Sequence, residues 1–217
     1  MTLESELKIV RDATMERMPV AIIKTFKDSI NSIRINKLKE NALQVGDKIP
    51  NTQSLIDNNN NVINLNDLLQ DEFLILNFYR GGWCPYCNME LRAYNRLKND
   101  FLSVGANIVA ISSEVPKLAT QTTLKNTISY PILTDANAQF MKALGIVFKL
   151  DDASKREFVN FGIDFTKING NDNYELPVPA IYVINKNKDI VYTHFEADYM
   201  TRLEPETLLT YLKTNKI

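Results

Sequence analysis

Residues that commonly bind metals or form disulfides are scarce in this chain, which has two cysteines and one histidine among 217 residues. A structural zinc site needs about four ligands. A complete site within this chain would have to recruit carboxylates, so we expect no metal. The chain is also long enough to bury a core without disulfides. Stability therefore does not require the cysteines.

A strong net charge and long apolar runs are absent as well. The net charge is −1, from 25 Lys and Arg against 26 Asp and Glu, so no long-range field attracts nucleic acid or a membrane surface. No apolar run approaches the roughly 20 residues that a membrane helix needs. The first residues carry charges and lack the apolar core of a signal peptide. We expect a cytoplasmic protein whose partners are small molecules or proteins, with no nucleic acid and no membrane.

The order of elements predicts an α/β fold with an N-terminal helical extension. Residues 1–43 have helical spacing of apolar residues and no strand signal. This extension either covers the rest of the chain or forms a subunit contact, as in a homodimer. Residues 44–217 form the predicted main domain. Its apolar runs at 73–79 and 106–113 are typical of strands buried on both faces, which indicates a mixed central sheet with helices on both faces.

The remaining patterns of the domain predict shorter elements. The asparagine run in residues 51–65 indicates a hairpin turn, and residues 147–176 have weak periodicity, typical of a loop-like insertion. The other predicted elements are a helix from the cysteines to Gly105, a helix capped by Asp135, two strands within 179–196 and a last helix starting at Pro205.

Both cysteines lie in "RGGWCPYCNMEL", residues 80–91, where a buried strand leads into a helix. The start of a helix has unpaired N–H groups and a partial positive charge, which stabilise a thiolate at Cys84. Cys87 lies almost one helical turn further on, within disulfide distance. Cys84 is therefore the candidate nucleophile and Cys87 the candidate resolving thiol. A metal site and two inert buried thiols are the less favoured interpretations.

The residues around Cys84 fit this interpretation. Gly81 and Gly82 indicate a sharp turn or a close approach of another group to the backbone. Trp83 is a candidate cover for one side of the site, and Pro85 suits the first turn of a helix. We interpret His194, in a predicted strand, as a sheet-edge residue with a hydrogen-bond partner.

The segment "FYRGGWCPYCNMEL" resembles the active-site segment of a peroxiredoxin-like branch of the AhpC/TSA family (alkyl hydroperoxide reductase and thiol-specific antioxidant), in the thioredoxin-like superfamily. Weaker similarity follows in the family's order, over about residues 44–215: "GDKIPNTQSL", "YPILTD", "LPVPAIYVIN" and "DYMTRLEPE". The resemblance implies a thioredoxin-like fold. It also implies that Cys84 is the peroxidatic cysteine, that Cys87 is the resolving cysteine, and that Pro179 is a cis-proline facing them.

The chain departs from the family pattern around Cys84. Typical members have a proline and a threonine or serine where this chain has Asn77 and Gly81, and an arginine where it has "PVPA". Peroxide cleavage needs hydrogen-bond donors to the developing oxyanion. Arg80 and Arg202 are the candidate substitutes, although each also fits an exposed surface arginine, which we slightly favour for Arg80.

Three functions remain open, and the first is favoured. It is a thiol-dependent peroxidase that reduces hydrogen peroxide or alkyl hydroperoxides through Cys84 and Cys87 and is recycled by a thioredoxin-type or small-thiol donor. The second is a thioredoxin-like protein disulfide reductase, which the match of "WCPYC" to the thioredoxin motif favours. Neither activity uses a cofactor. The third is a redox-inactive binding protein whose N-terminal helices are its working surface.

Overall fold

The apolar runs of the sequence form the inner strands of a mixed sheet. The computed structural model of the protein describes residues 1–51 and 55–215. Its strands are β1 (Leu55–Ile56), β2 (Phe73–Phe78), β3 (Ala106–Ser112), β4 (Ile132–Asp135), β5 (Val147–Lys149), β6 (Glu175–Pro177), β7 (Ala180–Asn185) and β8 (Ile190–Phe195). Six of them form one sheet in the order β1–β4–β3–β2–β7–β8, while β5 and β6 pair separately.

β2 has a parallel neighbour, β3, on one side and an antiparallel neighbour, β7, on the other. β2 pairs in parallel with β3, and β3 with β4, whereas the pairs β2–β7, β7–β8 and β1–β4 are antiparallel. Every residue of β2 is buried. The predicted mixed central sheet is therefore confirmed. β2 is an inner strand of this sheet, and the chain runs from its end to the cysteines.

Helices flank this sheet. In chain order they are α1 (Leu3–Arg17), α2 (Val20–Ile35), α3 (Leu38–Asn41), α4 (Leu65–Leu68), α5 (Pro85–Arg96), α6 (Lys98–Ser103), α7 (Pro116–Asn126), α8 (Gln139–Ala143), α9 (Asp152–Asn160), α10 (Phe165–Asn169) and α11 (Pro205–Thr214). Within residues 1–51 and 55–215, none of these helices has both the length and the apolar character to cross a membrane.

The predicted hairpin is confirmed for its described residues, with Ile56 and Val62 bridged and Asn60 in the left-handed conformation, while residues 52–54 lie outside the described part of the chain. The predicted helix from the cysteines to Gly105 is two helices, α5 and α6, which meet at Leu97. The Asp135 carboxylate accepts hydrogen bonds from the N–H groups of Phe140 and Met141, which confirms it as a helix cap.

The prediction of a loop-like insertion at residues 147–176 is wrong. This segment forms β5, α9, α10 and β6. The helices and strands of this segment are too short to show a clear spacing of apolar residues. Two aspartates, however, mark where its helices begin. Asp151 accepts a hydrogen bond from the N–H of Ser154 at 2.8 Å, and Asp164 accepts one from Thr166 at 3.1 Å. The segment packs its own small apolar cluster, formed with Phe26 of α2 by Leu150, Phe158, Phe165 and Leu176.

The N-terminal helices pack on the rest of the chain. Leu3 and Leu7 of α1 and Ile30 and Ile33 of α2 belong to the main apolar core. The Glu204 carboxylate accepts hydrogen bonds from the first N–H groups of α1. The division into an extension of residues 1–43 and a domain of residues 44–217 stays a prediction.

We expect Ile33→Ala to lower the free energy of unfolding by about 2–5 kcal/mol, because Ile33 is 7% exposed. Ile35 of the same helix is 78% exposed, so Ile35→Ala is the matched control and should change the free energy of unfolding by less than about 0.5 kcal/mol. Urea unfolding measures both values. Equal values for the two variants would contradict the packing of α2 on the core.

Candidate active site

The two cysteines lie where β2 leads into α5. Cys84 is the N-cap residue of α5, and Pro85 occupies its first turn. The Cys84 side chain is 1% exposed and Cys87 is fully buried, and both are free thiols. The position at a helix start agrees with the prediction, whereas the depth of burial had no sequence signal.

The two glycines before Cys84 are required by their surroundings. Gly81 has a φ of +143°, a conformation that side chains disfavour, and a Cβ there would collide with the Trp83 indole. A Cβ at Gly82 would collide with the hydroxyl of Thr122. Both a sharp turn and a close approach are therefore present, as the sequence indicated.

A buried carboxylate, Glu114, holds this loop in place. It follows β3 and accepts hydrogen bonds from the Gly82 N–H at 2.8 Å and from the hydroxyls of Tyr79 and Thr122 at 3.2 Å each. Burial raises the pKa of Glu114, although the hydrogen bonds from these three donors act to lower it. Sequence reasoning missed Glu114. The sequence signal for Glu114 was its position as a lone acidic residue just after a buried strand, the one that pairs with β2.

Arg202 is buried against the thiols and is not a surface residue. Its Nε donates to the Glu90 carboxylate at 2.6 Å, and both side chains are 2% exposed. Its Nη2 donates to Cys87 Sγ at 3.2 Å. Burial raises the pKa of Glu90 to about 7 although Arg202 opposes this shift. Sequence reasoning also missed Glu90. The sequence signal for it was its position three residues after Cys87, which places both residues on the same face of α5.

The slightly favoured interpretation of Arg80 as an exposed arginine is wrong, because Arg80 is 3% exposed. Its guanidinium carbon lies 4.3 Å from the ring centre of Tyr199, 4.8 Å from Trp83 and 5.7 Å from Phe158. Aromatic faces attract a cation in this arrangement. Within residues 1–51 and 55–215, Arg80 has no carboxylate partner, and its Nε has no hydrogen-bond acceptor. The rings thus hold a buried positive charge with free donor capacity.

The two thiols differ in acidity. Burial opposes ionisation of Cys84, but the neighbouring Cys87 and the charges of Arg80 and Arg202 outweigh it and lower the pKa of Cys84 to about 6. Burial, together with the adjacent Cys84, raises the pKa of Cys87 well above its ordinary value. At neutral pH Cys84 is therefore the thiolate and Cys87 the thiol.

Cys84 borders an apolar cavity of about 160 Å³. Arg80, Trp83 and Tyr199 line this cavity together with residues of α1 and α2. Trp83 packs edge-on against Phe158 and Phe165. The fold thus brings Arg80 and Trp83 next to Cys84, and Arg202 next to Cys87.

Two sequence expectations fail nearby. The Val178–Pro179 peptide bond is trans, since no cis bond occurs within residues 1–51 and 55–215. The trans isomer is the one that X–Pro bonds intrinsically favour, and the Val178 N–H is paired with the carbonyl of Ile146 at 2.8 Å. Pro179 lines a small cavity with Arg80 and Tyr199.

His194 lies on the edge strand β8 as predicted, but its Nε2 has no partner among the described residues.

A mixed sheet with a Cys-x-x-Cys pair between its central strand and the following helix defines the thioredoxin-like class. Within that class, the AhpC/TSA family matches residues 45–193, more than half of the chain. The chain belongs to the AhpC/TSA family, as its sequence motifs indicated.

Individual relatives agree with this assignment. 1-Cys peroxiredoxin A of Oryza sativa subsp. japonica is 26% identical over 114 residues, which are 49% of this chain and 50% of that protein. Thiol-disulfide oxidoreductase ResA of Halalkalibacterium halodurans is 29% identical over 79 residues, 36% of this chain and 44% of its own length. This chain thus spans about half the length of these two relatives.

The fold itself is shared with solved peroxiredoxins. The crystal structure of peroxidoxin BcpB from Mycobacterium tuberculosis superposes with a TM-score of 0.63 at 20% identity, covering 81% of this chain and 99% of that one. The predicted thioredoxin-like α/β fold is therefore confirmed.

We expect the rate of alkylation of Cys84 by iodoacetamide to rise with pH through a midpoint of about 6, because only the thiolate reacts. Arg80→Gln removes a neighbouring positive charge and should move the midpoint upward, toward the ordinary thiol value of about 8.5. The exposed Arg34 provides the matched control Arg34→Gln, which should leave the midpoint unchanged. Mass spectrometry identifies the alkylated cysteine, and a wild-type midpoint near 8.5 would contradict the electrostatics described above.

Proposed function

We propose that this protein is a thiol-dependent peroxidase. The Cys84 thiolate attacks one oxygen of a hydroperoxide, the O–O bond breaks, and an S–O bond forms. The alkoxide or hydroxide that leaves takes up a proton to become an alcohol or water, and Cys84 becomes a sulfenic acid. The Cys87 thiol then displaces water from the sulfenic sulfur and forms the Cys84–Cys87 disulfide. Two thiols of a thioredoxin-type or small-thiol donor reduce this disulfide and are themselves oxidised to a disulfide.

The observation that carries the proposal is the burial of an acidic thiol at the edge of a small cavity. A hydroperoxide is small enough to reach Cys84 through a cavity of about 160 Å³, whereas a disulfide on the surface of a protein substrate is not. Burial also removes water, so that nearby charges act more strongly. This setting favours a small-molecule oxidant over a protein substrate.

We propose that the two arginines replace the hydrogen-bond donors that are missing at Gly81 and in "PVPA". Arg80 keeps a donor without a partner in a buried position next to Cys84. We assign it the role of donor to the oxygen that becomes negative as the O–O bond breaks. Arg202, held by Glu90, lies against Cys87 Sγ. We assign it the role of stabilising negative charge on the sulfur pair.

A second candidate function is disulfide exchange with a protein. It is favoured by the "WCPYC" motif at the start of α5 and by the partial similarity to ResA, itself named a thiol-disulfide oxidoreductase. The buried position of Cys84 argues against it in this conformation, since the N-terminal helices would have to move away.

A redox-inactive binding protein is the third candidate, and an acidic Cys84 argues against it. A cytoplasmic location and a homodimer stay predictions that fractionation and analytical ultracentrifugation would test.

Stopped-flow oxidation by hydrogen peroxide and by an alkyl hydroperoxide tests the proposal, with insulin-disulfide reduction measured in parallel. Cys84→Ser should fall to the background rate in both assays. Cys87→Ser should react once with peroxide and retain a sulfenic acid that a dione probe traps. Peroxide oxidation of the wild type no faster than that of a free thiol would rule out the peroxidase, and rapid insulin reduction would support the second candidate.

We expect Arg80→Gln to slow peroxide reduction by about 10²–10³-fold, the typical cost of one oxyanion donor. The rate is measured well above the pKa of Cys84 in each variant, where Cys84 is fully ionised. Under the same conditions its alkylation by iodoacetamide should match that of the wild type, because alkylation breaks no O–O bond. An equal loss in both reactions would show that Arg80 affects the thiol alone.

A further inference from the structure

Among the described residues, the cavity beside Cys84 is lined by basic side chains and by no acidic one. The basic residues are Arg80 and Lys27. Within residues 1–51 and 55–215, neither of them forms an ion pair with a carboxylate. Cys84 and Pro85 bring the start of α5 to the same cavity, and a helix start carries a partial positive charge. The fixed charges around the cavity are therefore positive.

The two cations differ in how strongly they attract an anion. Arg80 is 3% exposed, and its Nε has no acceptor among the described residues. A buried charge is costly unless it is paired, and aromatic faces compensate only part of that cost. Lys27 is exposed, so water screens its charge and its contribution is smaller. Arg80 is therefore the main attraction for an anion in this cavity, and Lys27 adds to it.

The charge of Cys84 changes with its chemical state. Although burial opposes ionisation, the neighbouring Cys87 and the charge of Arg80 lower the pKa of Cys84, so that the thiolate is the anion beside Arg80 in the reduced protein. This negative charge is lost when Cys84 is protonated or forms a disulfide. Arg80 and Lys27 are then left without an anion, so the attraction of the cavity for one depends on the state of Cys84.

The cavity limits which anion can enter. Its volume is about 160 Å³, and its lining includes apolar side chains such as Met15 and Ile23. A divalent or strongly hydrated anion would lose more hydration free energy there than a monovalent, weakly hydrated one. We propose that the cavity is a binding site for a small, weakly hydrated monovalent anion, which Arg80 and Lys27 hold when Cys84 carries no charge. Such an anion competes with the thiolate for the same cations.

Thiocyanate is the probe, and the full chain with Cys84→Ser supplies the uncharged state. Trp83 is the single tryptophan and lines the cavity, so its fluorescence reports on occupancy. At an ionic strength kept constant with the bulky gluconate ion, thiocyanate should change this fluorescence saturably. The reduced wild type, well above the pKa of Cys84, should bind thiocyanate about 5–150-fold more weakly, the usual range for coupled sites. No saturable change in Cys84→Ser would overturn the proposal.

Substitutions in the Cys84→Ser background locate the anion. Arg80→Gln should weaken thiocyanate binding about 10-fold or more, the loss expected for a hydrogen bond to a charged group, and Arg80→Lys should weaken it less because it keeps the charge. Lys27→Met should weaken binding about twofold to fivefold. The exposed Arg34 of the same helix gives the matched control Arg34→Met, which should keep the affinity. An unchanged affinity in Arg80→Gln, or equal affinities in Lys27→Met and Arg34→Met, would overturn the proposal; the second comparison decides if Arg80→Gln fails to fold.

Competition with the thiolate gives a second readout on the wild type. An anion that binds only beside uncharged Cys84 stabilises the protonated thiol, so thiocyanate should raise the pH midpoint of Cys84 alkylation by iodoacetamide. A tenfold excess of thiocyanate over its dissociation constant should raise it by about one pH unit. This measurement uses no peroxide, so it tests the anion site even if the protein proves not to be a peroxidase. An unchanged midpoint would overturn the proposal.

Discussion

A thiolate within an apolar site is stable only beside positive charge, and two buried guanidinium groups provide that charge to Cys84. They are held in different ways. Arg202 is hydrogen-bonded to Glu90 and donates to Cys87, whereas Arg80 is held by the faces of three aromatic rings. The first arrangement fixes the pair of sulfurs. The second leaves a buried cation free to interact with a negative group that forms beside it.

The position of Arg80 beside Cys84 depends on the geometry of the loop that joins them. Arg80 and Cys84 are separated by the turn at Gly81, so the turn decides whether the guanidinium and the sulfur share a cavity. Glu114 fixes that turn through the Gly82 N–H and draws two hydroxyls from neighbouring elements around it. A buried carboxylate with three donors is a rigid support. Cys84 is therefore positioned by the end of β2 and, through the Gly82 N–H, by Glu114.

The aromatic rings around Arg80 connect the site to the parts of the chain outside the central sheet. Phe158 belongs to the segment that follows β5, and its ring contacts Trp83 on one side and Phe26 of α2 on the other. Residues from three separate stretches of the chain thus meet at one cluster. The same rings hold Arg80, whose charge contributes to the lowered pKa of Cys84, and line the cavity beside it.

Local patterns in the sequence determined the inner strands, the strand-to-helix transition at Cys84, the two glycines and the family motifs, because each depends on neighbours along the chain. Short elements such as α9 were not predictable from periodicity, since a period needs several turns to be visible. The roles of Glu90 and Glu114 and the burial of both arginines became visible only in the tertiary structure. Their partners lie far away in sequence, and whether an arginine is a surface residue or a buried cation depends on which side chains the fold brings around it.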